Sequence, residues 1–335
     1  MSLKKLYVLA LCLFSIMLVS DARSQEGGNK YAGEFLAIGV GGRPLGMGGA
    51  YVALVNDVTS GYWNPSLLSQ INYPQFSLMH DERFGNLVNY DYGAVGFPFG
   101  KDASLGLSVI RMGIDDIPDT RNAYVNGRID PNLVTRFSTT DYAFYLTYAK
   151  KHDENFSYGA NLKIIRRNIA EESAWGLGLD LGVSYNINNK IFFGANLQDI
   201  TTTYLSWSTG KKEVITPTAK IGSAYKIPLF DGTLTPAMDF DVRFENRRES
   251  ANANLGPVSF DMHAGIEYTF KDMFSIRTGY NDIGNLTLGA GVKLPKLNID
   301  YSFAKFDGDA DLGNTHRISL IFTLEEEKFQ RKLEK

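Results

Sequence analysis

The chain reads as an all-β protein: a transmembrane antiparallel β-barrel of about 14 strands with an N-terminal plug segment. Three observations predict this. Apolar and polar residues alternate with a period of two over most of the chain after residue 75. Tyr (18), Phe (21) and Gly (33) are abundant while Trp is scarce (3), and no long apolar run follows residue 24. That composition suits a wall whose apolar residues occupy every second position. Finally, the connections between strands sort into short and long ones by parity, as they do when every second turn faces the same side of a membrane. The mean hydropathy of -0.16 would pass for an ordinary soluble protein, because alternation averages the apolar face away.

In chain order, residues 1–24 form an export signal. Lys4 and Lys5 are its charged start, Leu6 to Val19 its apolar stretch, and Ala22-Arg23-Ser24 its cleavage site. Cys12 leaves with it, so the remaining chain has no thiol and forms no disulfide. The full chain carries a formal charge of -3, which gives no basis for nucleic-acid binding. Residues 25–73 are the expected plug. Gly41, Gly46, Gly48 and Gly49 exceed what a helix or sheet interior tolerates, and Asn56-Asp57 marks a turn. Trp63-Asn64-Pro65 then opens a short helix, PSLLSQ, with Asn64 as N-cap and Pro65 first in the helix.

Residues 74–324 are the expected barrel. Fourteen strands are predicted at 75–82, 86–99, 103–112, 141–150, 156–168, 174–186, 190–198, 216–227, 233–244, 258–270, 273–280, 286–294, 297–305 and 316–324. In the fifth, Phe156, Tyr158, Ala160, Leu162 and Ile164 alternate with Ser157, Gly159, Asn161 and Lys163. The apolar set is assigned to lipid and the other to the lumen. Parity then points Lys163, Asp180, Lys220, Asp239, Asp241, Arg243, Asp261, Glu267, Arg277, Lys293 and Asp300 inward. Both signs are present, so the lumen reads as filled and salt-bridged rather than as a charge-selective pore. Gly113–Thr140, Asp199–Ile215, Glu245–Pro257 and Phe306–Thr315 are the long outer loops. Residues 325–335 form a charged periplasmic tail, with Glu327 and Arg331 spaced for a short solvated helix.

No catalytic, cofactor or metal site is predicted. Gly39 and Gly41 are followed by Pro44 where a dinucleotide fingerprint needs glycine, and no Gly-Lys-Ser/Thr occurs. Asp307, Asp309 and Asp311 have calcium-loop spacing but lack the closing Glu, so a solvated loop is the default there, with a weak cation site as the alternative. His80, His152, His263 and His316 are scattered.

The segment FLAIGVGGRPLGMGGAYVALVNDVTSGYWNP resembles the N-terminal signature of the PorV/PorQ family, and LGNTHRISL resembles that family's last hairpin. Gly42 stands where the family has Ala, and Ser66 where Ala follows Asn-Pro. The resemblance implies a barrel similar to FadL-type transporters, an outer-membrane location in a Bacteroidetes-like bacterium, and membership of type IX protein secretion. It implies a non-enzymatic cargo shuttle or accessory whose partners are secretion-translocon proteins or exported cargo, met through the outer loops, beside outer-membrane lipid. The alternative is a FadL-like transporter carrying a fatty acid or another hydrophobic small molecule. An apolar pocket beneath the outer loops is the feature that favours the alternative.

Overall fold

The computed structural model of the chain describes residues 33–85, 87–244, 251–305 and 314–331. The expected export signal at 1–24, Gln25–Lys30, Asp307, Asp309, Asp311 and the last four residues lie outside the described residues.

Fourteen strands form the wall: β1 (Gln75–Arg83), β2 (Val88–Phe99), β3 (Ala103–Asp119), β4 (Thr135–Lys151), β5 (Phe156–Ile169), β6 (Glu172–Ile187) and β7 (Ile191–Gln198), then β8 (Thr218–Tyr225), β9 (Gly232–Arg243), β10 (Val258–Phe270), β11 (Phe274–Tyr280), β12 (Leu286–Leu294), β13 (Leu297–Lys305) and β14 (Asn314–Thr323). Each pairs antiparallel with its sequence neighbour, and β1 pairs with β14 from Gln75↔Thr323 to Glu82↔His316, which closes the barrel. Closure removes the free edges that an open sheet would expose.

Period-two alternation sets which face is wet. Along β6, Trp175, Leu177, Leu179, Leu181, Val183, Tyr185 and Ile187 are exposed on the outside, while Ala174, Asp180 and Ser184 are buried on the inside. An apolar exterior over a packed interior is the arrangement of a wall immersed in lipid. Among the described residues no helix is long and apolar enough to cross a membrane; the strands cross instead.

Two stretches differ from the expectation. β3 and β4 run on to Asp119 and back from Thr135, about 20 Å past the predicted ends at 3.3 Å per residue. The alternation in these extensions is broken by Asp115-Asp116 and a register shift between Ile114 and Ile117, which hid the strand. The stretch 199–215 is wall rather than loop. Asp199 and Thr202 adopt positive φ and form a kink, after which Thr203–Trp207 resumes pairing with β6 and with Lys212–Ile215. A strand of five residues is too short for period-two counting to find.

The plug, residues 33–73, lies inside the barrel and is almost wholly buried. Short turns carry it: a 3-10 turn at Glu34–Leu36, helical turns at Gly42–Gly46 and Ser60–Trp63, and a 3-10 turn at Pro65–Gln70. The last of these is the predicted PSLLSQ helix, tighter than expected. Asn64 caps it by accepting from the Ser66 N–H, with Pro65 at the first turn.

Candidate functional site: the plug and its seat in the lumen

The plug's own residues explain its shape. Trp63 is the centre of an aromatic core. Its ring packs edge-on against Tyr62 at 5.0 Å and Tyr51 at 5.9 Å, and its Nε1–H donates to the Val40 carbonyl at 2.9 Å. Asp57 accepts from the Thr59 N–H at 2.8 Å and the Thr59 hydroxyl at 2.6 Å, which fixes the turn that Asn56-Asp57 begins. Trp63→Ala removes a buried indole and its hydrogen bond, and is expected to weaken plug docking by about 3–5 kcal/mol. Faster hydrogen exchange at Tyr51–Trp63, with strand amides unchanged, is the readout.

The wall receives the plug through glycines. A Cβ on Gly159 would lie 2.6 Å from the Pro65 carbonyl carbon. Cβ atoms on Gly182, Gly194, Gly265 and Gly279 would each come within 3.0 Å of Asn64, Val52, Met47 and Gly48 respectively. These inward glycines are therefore docking pads at which plug atoms touch strand backbone. The same logic accounts for Gly42, where the resembled family carries Ala: a Cβ there would lie 2.7 Å from the Asp300 carbonyl oxygen.

Polar ties hold the seated plug. Asn64 Nδ2 donates to the Val52 carbonyl at 3.0 Å and the Val183 carbonyl at 3.1 Å. Asp239 accepts from the Tyr51 and Val52 N–H groups at 2.6 and 2.7 Å. Thr287 donates to the Gly46 carbonyl, His263 bonds the Gly48 carbonyl, and Gly42 N–H donates to Ser319 Oγ. The densest tie is Arg43. It grips Glu267 bidentately, with both distances 2.8 Å, and donates to Tyr51 Oη at 3.0 Å and Asn56 Oδ1 at 2.8 Å. Glu267 also accepts from Arg277 at 2.6 Å, and Arg277 reaches Asp300 at 2.7 Å.

All of the predicted lumen charges on β5–β11 are buried. Apart from Asp239, which accepts from the plug's Tyr51 and Val52 N–H groups, they fall into three groups. Lys163 joins Asp180 (3.2 Å) and Asp199 (2.7 Å). Lys220, Arg243 and His263 gather on Asp241, with Arg243 also facing Asp261 at 3.9 Å. Glu267, Arg277 and Asp300 form the third group, with Arg43. Lys293 is exposed at the turn end. Gly46, Gly48 and Gly49 line the contact with β10–β12, Gly41 donates its N–H to Met79 Sδ on β1, and Asn56 opens onto a polar cavity of about 420 Å³ at the turn end of the barrel. Among the described residues no three His, Cys, Asp or Glu side chains gather as a metal site.

The lumen is two-sided. Buried charges are densest on β8–β14, whereas β2–β5 present buried Tyr90, Tyr92, Ile110, Tyr145 and Ile165 alongside the buried charges Asp141 and Lys163. The plug's first residues join this apolar cluster at its edge, beside Gln198, Asp199, Lys220 and Arg243. Phe35 is buried, Leu36 and Ile38 pack on the core with Trp207 and Ile215, and the Tyr62 hydroxyl donates to the Leu36 carbonyl at 2.5 Å. Arg167 lies over both Phe35 and Trp207, at 6.0 and 5.8 Å. Next to the kink at Asp199 remains a cavity of about 60 Å³, lined in part by Glu34, Leu36, Thr216 and Arg243.

The alternation did not point to Arg43, Phe35, Asp199 or the wall glycines. A lone arginine in an apolar, glycine-rich stretch was the available signal for Arg43, since it needs a buried carboxylate. The glycine pads carry no such mark, because Gly159 and Gly182 look like any other small inward residue.

No protein-family model and no curated protein sequence matches the chain. Among solved structures, the toluene transporter TodX of Pseudomonas putida is similar at TM-score 0.62 and 11% identity, covering 86% of this chain and 99% of that one. The Ralstonia pickettii toluene transporter TbuX gives 0.60 and 13%, covering 85% and 98%. A Pseudomonas aeruginosa FadL homologue gives 0.57 and 12%, also covering 85% and 98%. The fold is that of the FadL-type barrels. At these identities the likeness concerns the fold, and the FadL-type barrel matches nearly the whole length of each neighbour.

Proposed function

We propose that the chain is an outer-membrane channel for small hydrophobic molecules, held shut by its N-terminal plug. The observation that carries this reading is the occupancy of the outer lumen. The chain's own Phe35 is buried in one apolar cluster with Tyr62, Tyr145, Ile165 and Leu205, and Leu36 and Ile38 pack against it. An apolar solute arriving from outside competes for that surface. Entry requires Gly33–Ile38 to withdraw, which breaks the Tyr62–Leu36 hydrogen bond and frees Arg167 from Phe35. The charged side of the lumen stays bonded to the plug core meanwhile. The named neighbours carry toluene in TodX and TbuX, which supports a solute of that character. No chemical transformation is part of this reading.

The sequence resemblance to the PorV/PorQ family supports a second reading, a cargo-binding shuttle or accessory of type IX secretion. The observation that favours it is the overhang of β3 and β4. Its tip exposes Tyr124, Val125, Ile129 and Leu133 beyond the wall, as a protein-binding loop would.

One experiment separates the two. The native protein is isolated in mild detergent, and co-purifying lipids and proteins are identified by mass spectrometry. A stoichiometric fatty acid or other apolar molecule supports the channel. Translocon proteins or exported cargo without such a molecule support the shuttle and contradict the channel.

A further inference from the structure

The tail after β14 does not form the solvated helix that its charge suggests. Glu327–Phe329 makes a single 3-10 turn, and the chain folds back against the turn end of the barrel. The Leu324 N–H donates to the Pro74 carbonyl and the Arg331 N–H to the Asn72 carbonyl. The Arg331 side chain is then only 6% exposed. Its Nη1 donates to the carbonyls of Lys101 at 3.2 Å and Ala103 at 2.6 Å. Its Nη2 donates to the carbonyls of Ser69 at 3.1 Å and Ile71 at 2.7 Å, and to Ser104 Oγ at 2.7 Å.

The acceptors belong to two separate parts of the molecule. Ser69 and Ile71 are the foot of the plug, where it passes into β1. Lys101 lies in the turn between β2 and β3, the first turn at this end of the barrel, and Ala103 and Ser104 begin β3. A rigid, planar fork of donors suits such a junction, because it spans several fixed acceptors at once. The other end of this foot is pinned by Asn64 and Pro65 against Gly159 and Gly182. Among the described residues, Gly33–Val40 are tied to the plug core by the Tyr62–Leu36 and Trp63–Val40 bonds, with no fork of this kind.

We propose that Arg331 is a latch: the C-terminal tail locks the plug's foot to the first turn, so that only Gly33–Val40 moves while the tail is docked. Withdrawal of the tail frees the foot as well. What the freed plug lets through rests on the channel reading; the latch itself does not, and is tested without transport.

Hydrogen exchange is measured on the full-length protein in detergent for wild type, Arg331→Ala, Arg331→Lys and Lys328→Ala, after heat-shifted electrophoresis has shown that each barrel is folded. Lys328 pairs with Glu326 in solvent and serves as the tail control. Arg331→Ala is expected to raise exchange at Leu67–Ile71 at least tenfold, Arg331→Lys by less, and Lys328→Ala not at all, with β6 unchanged throughout. Unchanged exchange at Leu67–Ile71 in Arg331→Ala overturns the latch. An equal rise in β6 also overturns it, because Arg331 would then support the barrel rather than the plug.

Discussion

Glu267→Gln is expected to release the plug core while leaving the barrel closed. The carboxylate is shared by Arg43 from the plug and Arg277 from the wall. An amide of the same shape keeps the packing but leaves two guanidinium groups facing each other, with Asp300 on Arg277 and Asp57 beyond Tyr51 as nearby carboxylates. Removing one partner of a buried ion pair costs about 3–5 kcal/mol, because the other charge stays buried without its counterion. At about 1.4 kcal/mol per tenfold, plug opening rises by roughly a hundredfold or more. Hydrogen exchange at Gly42–Val52 reads this directly. Glu82→Gln is the control, since Glu82 lies half-exposed on the outer face and surface pairs contribute about 0–1 kcal/mol. A double variant, Arg43→Met with Glu267→Met, is expected to recover part of the loss, because Arg277 then keeps Asp300 and no arginine of the plug is left buried without a carboxylate. If the double variant is worse than Glu267→Gln, shape rather than charge holds the plug there.

Gly279→Val is expected to unseat the plug outright. A Cβ at this position meets the Gly48 amide nitrogen and the Met47 carbonyl carbon, both backbone atoms, within 3.0 Å. No rotamer change relieves a clash between two backbones, so either the plug or β11 must shift. The strand is held by ladders to β10 and β12 on both sides, whereas the plug turn at Met47–Gly49 is a single loop. The plug therefore yields. Single-channel recordings in a planar bilayer are expected to show no conductance for the wild type and open steps for Gly279→Val. Gly93→Ala, where the nearest atom to the new methyl is Val109 Cγ1 at 3.6 Å, is expected to stay closed. A closed Gly279→Val barrel with a protease-protected plug would show that the wall glycines are not what seats it.

Much of this architecture is legible in the chain because period two is a strong signal when one face is lipid and the other is packed. Strands such as β5 and β6 are long, uninterrupted and flanked by turn residues, and their predicted bounds lie within a few residues of the observed ones. The signal fails where it is short or interrupted. Asp115-Asp116 breaks it in β3, and the kink at Asp199 leaves only Thr203–Trp207 beyond. Within the plug, glycine spacing identifies a segment that packs closely against something, but not which strand it touches. That information sits in inward glycines far along the chain, from Gly159 to Gly279. Arg331 is harder still. It reads as one charge in a charged tail, and its partners are mainly backbone carbonyls, which every residue supplies.

The most direct test of the channel is uptake of radiolabelled toluene and a long-chain fatty acid by cells that lack their own channel of this kind and express the chain in the outer membrane. The account predicts saturable uptake above the vector control for at least one of the two, and faster uptake when Phe35 and Leu36 are replaced by alanine, because their side chains occupy the surface the solute needs. Uptake equal to the vector control for wild type and variant alike, with the barrel folded at the cell surface, would contradict it and leave the secretion reading.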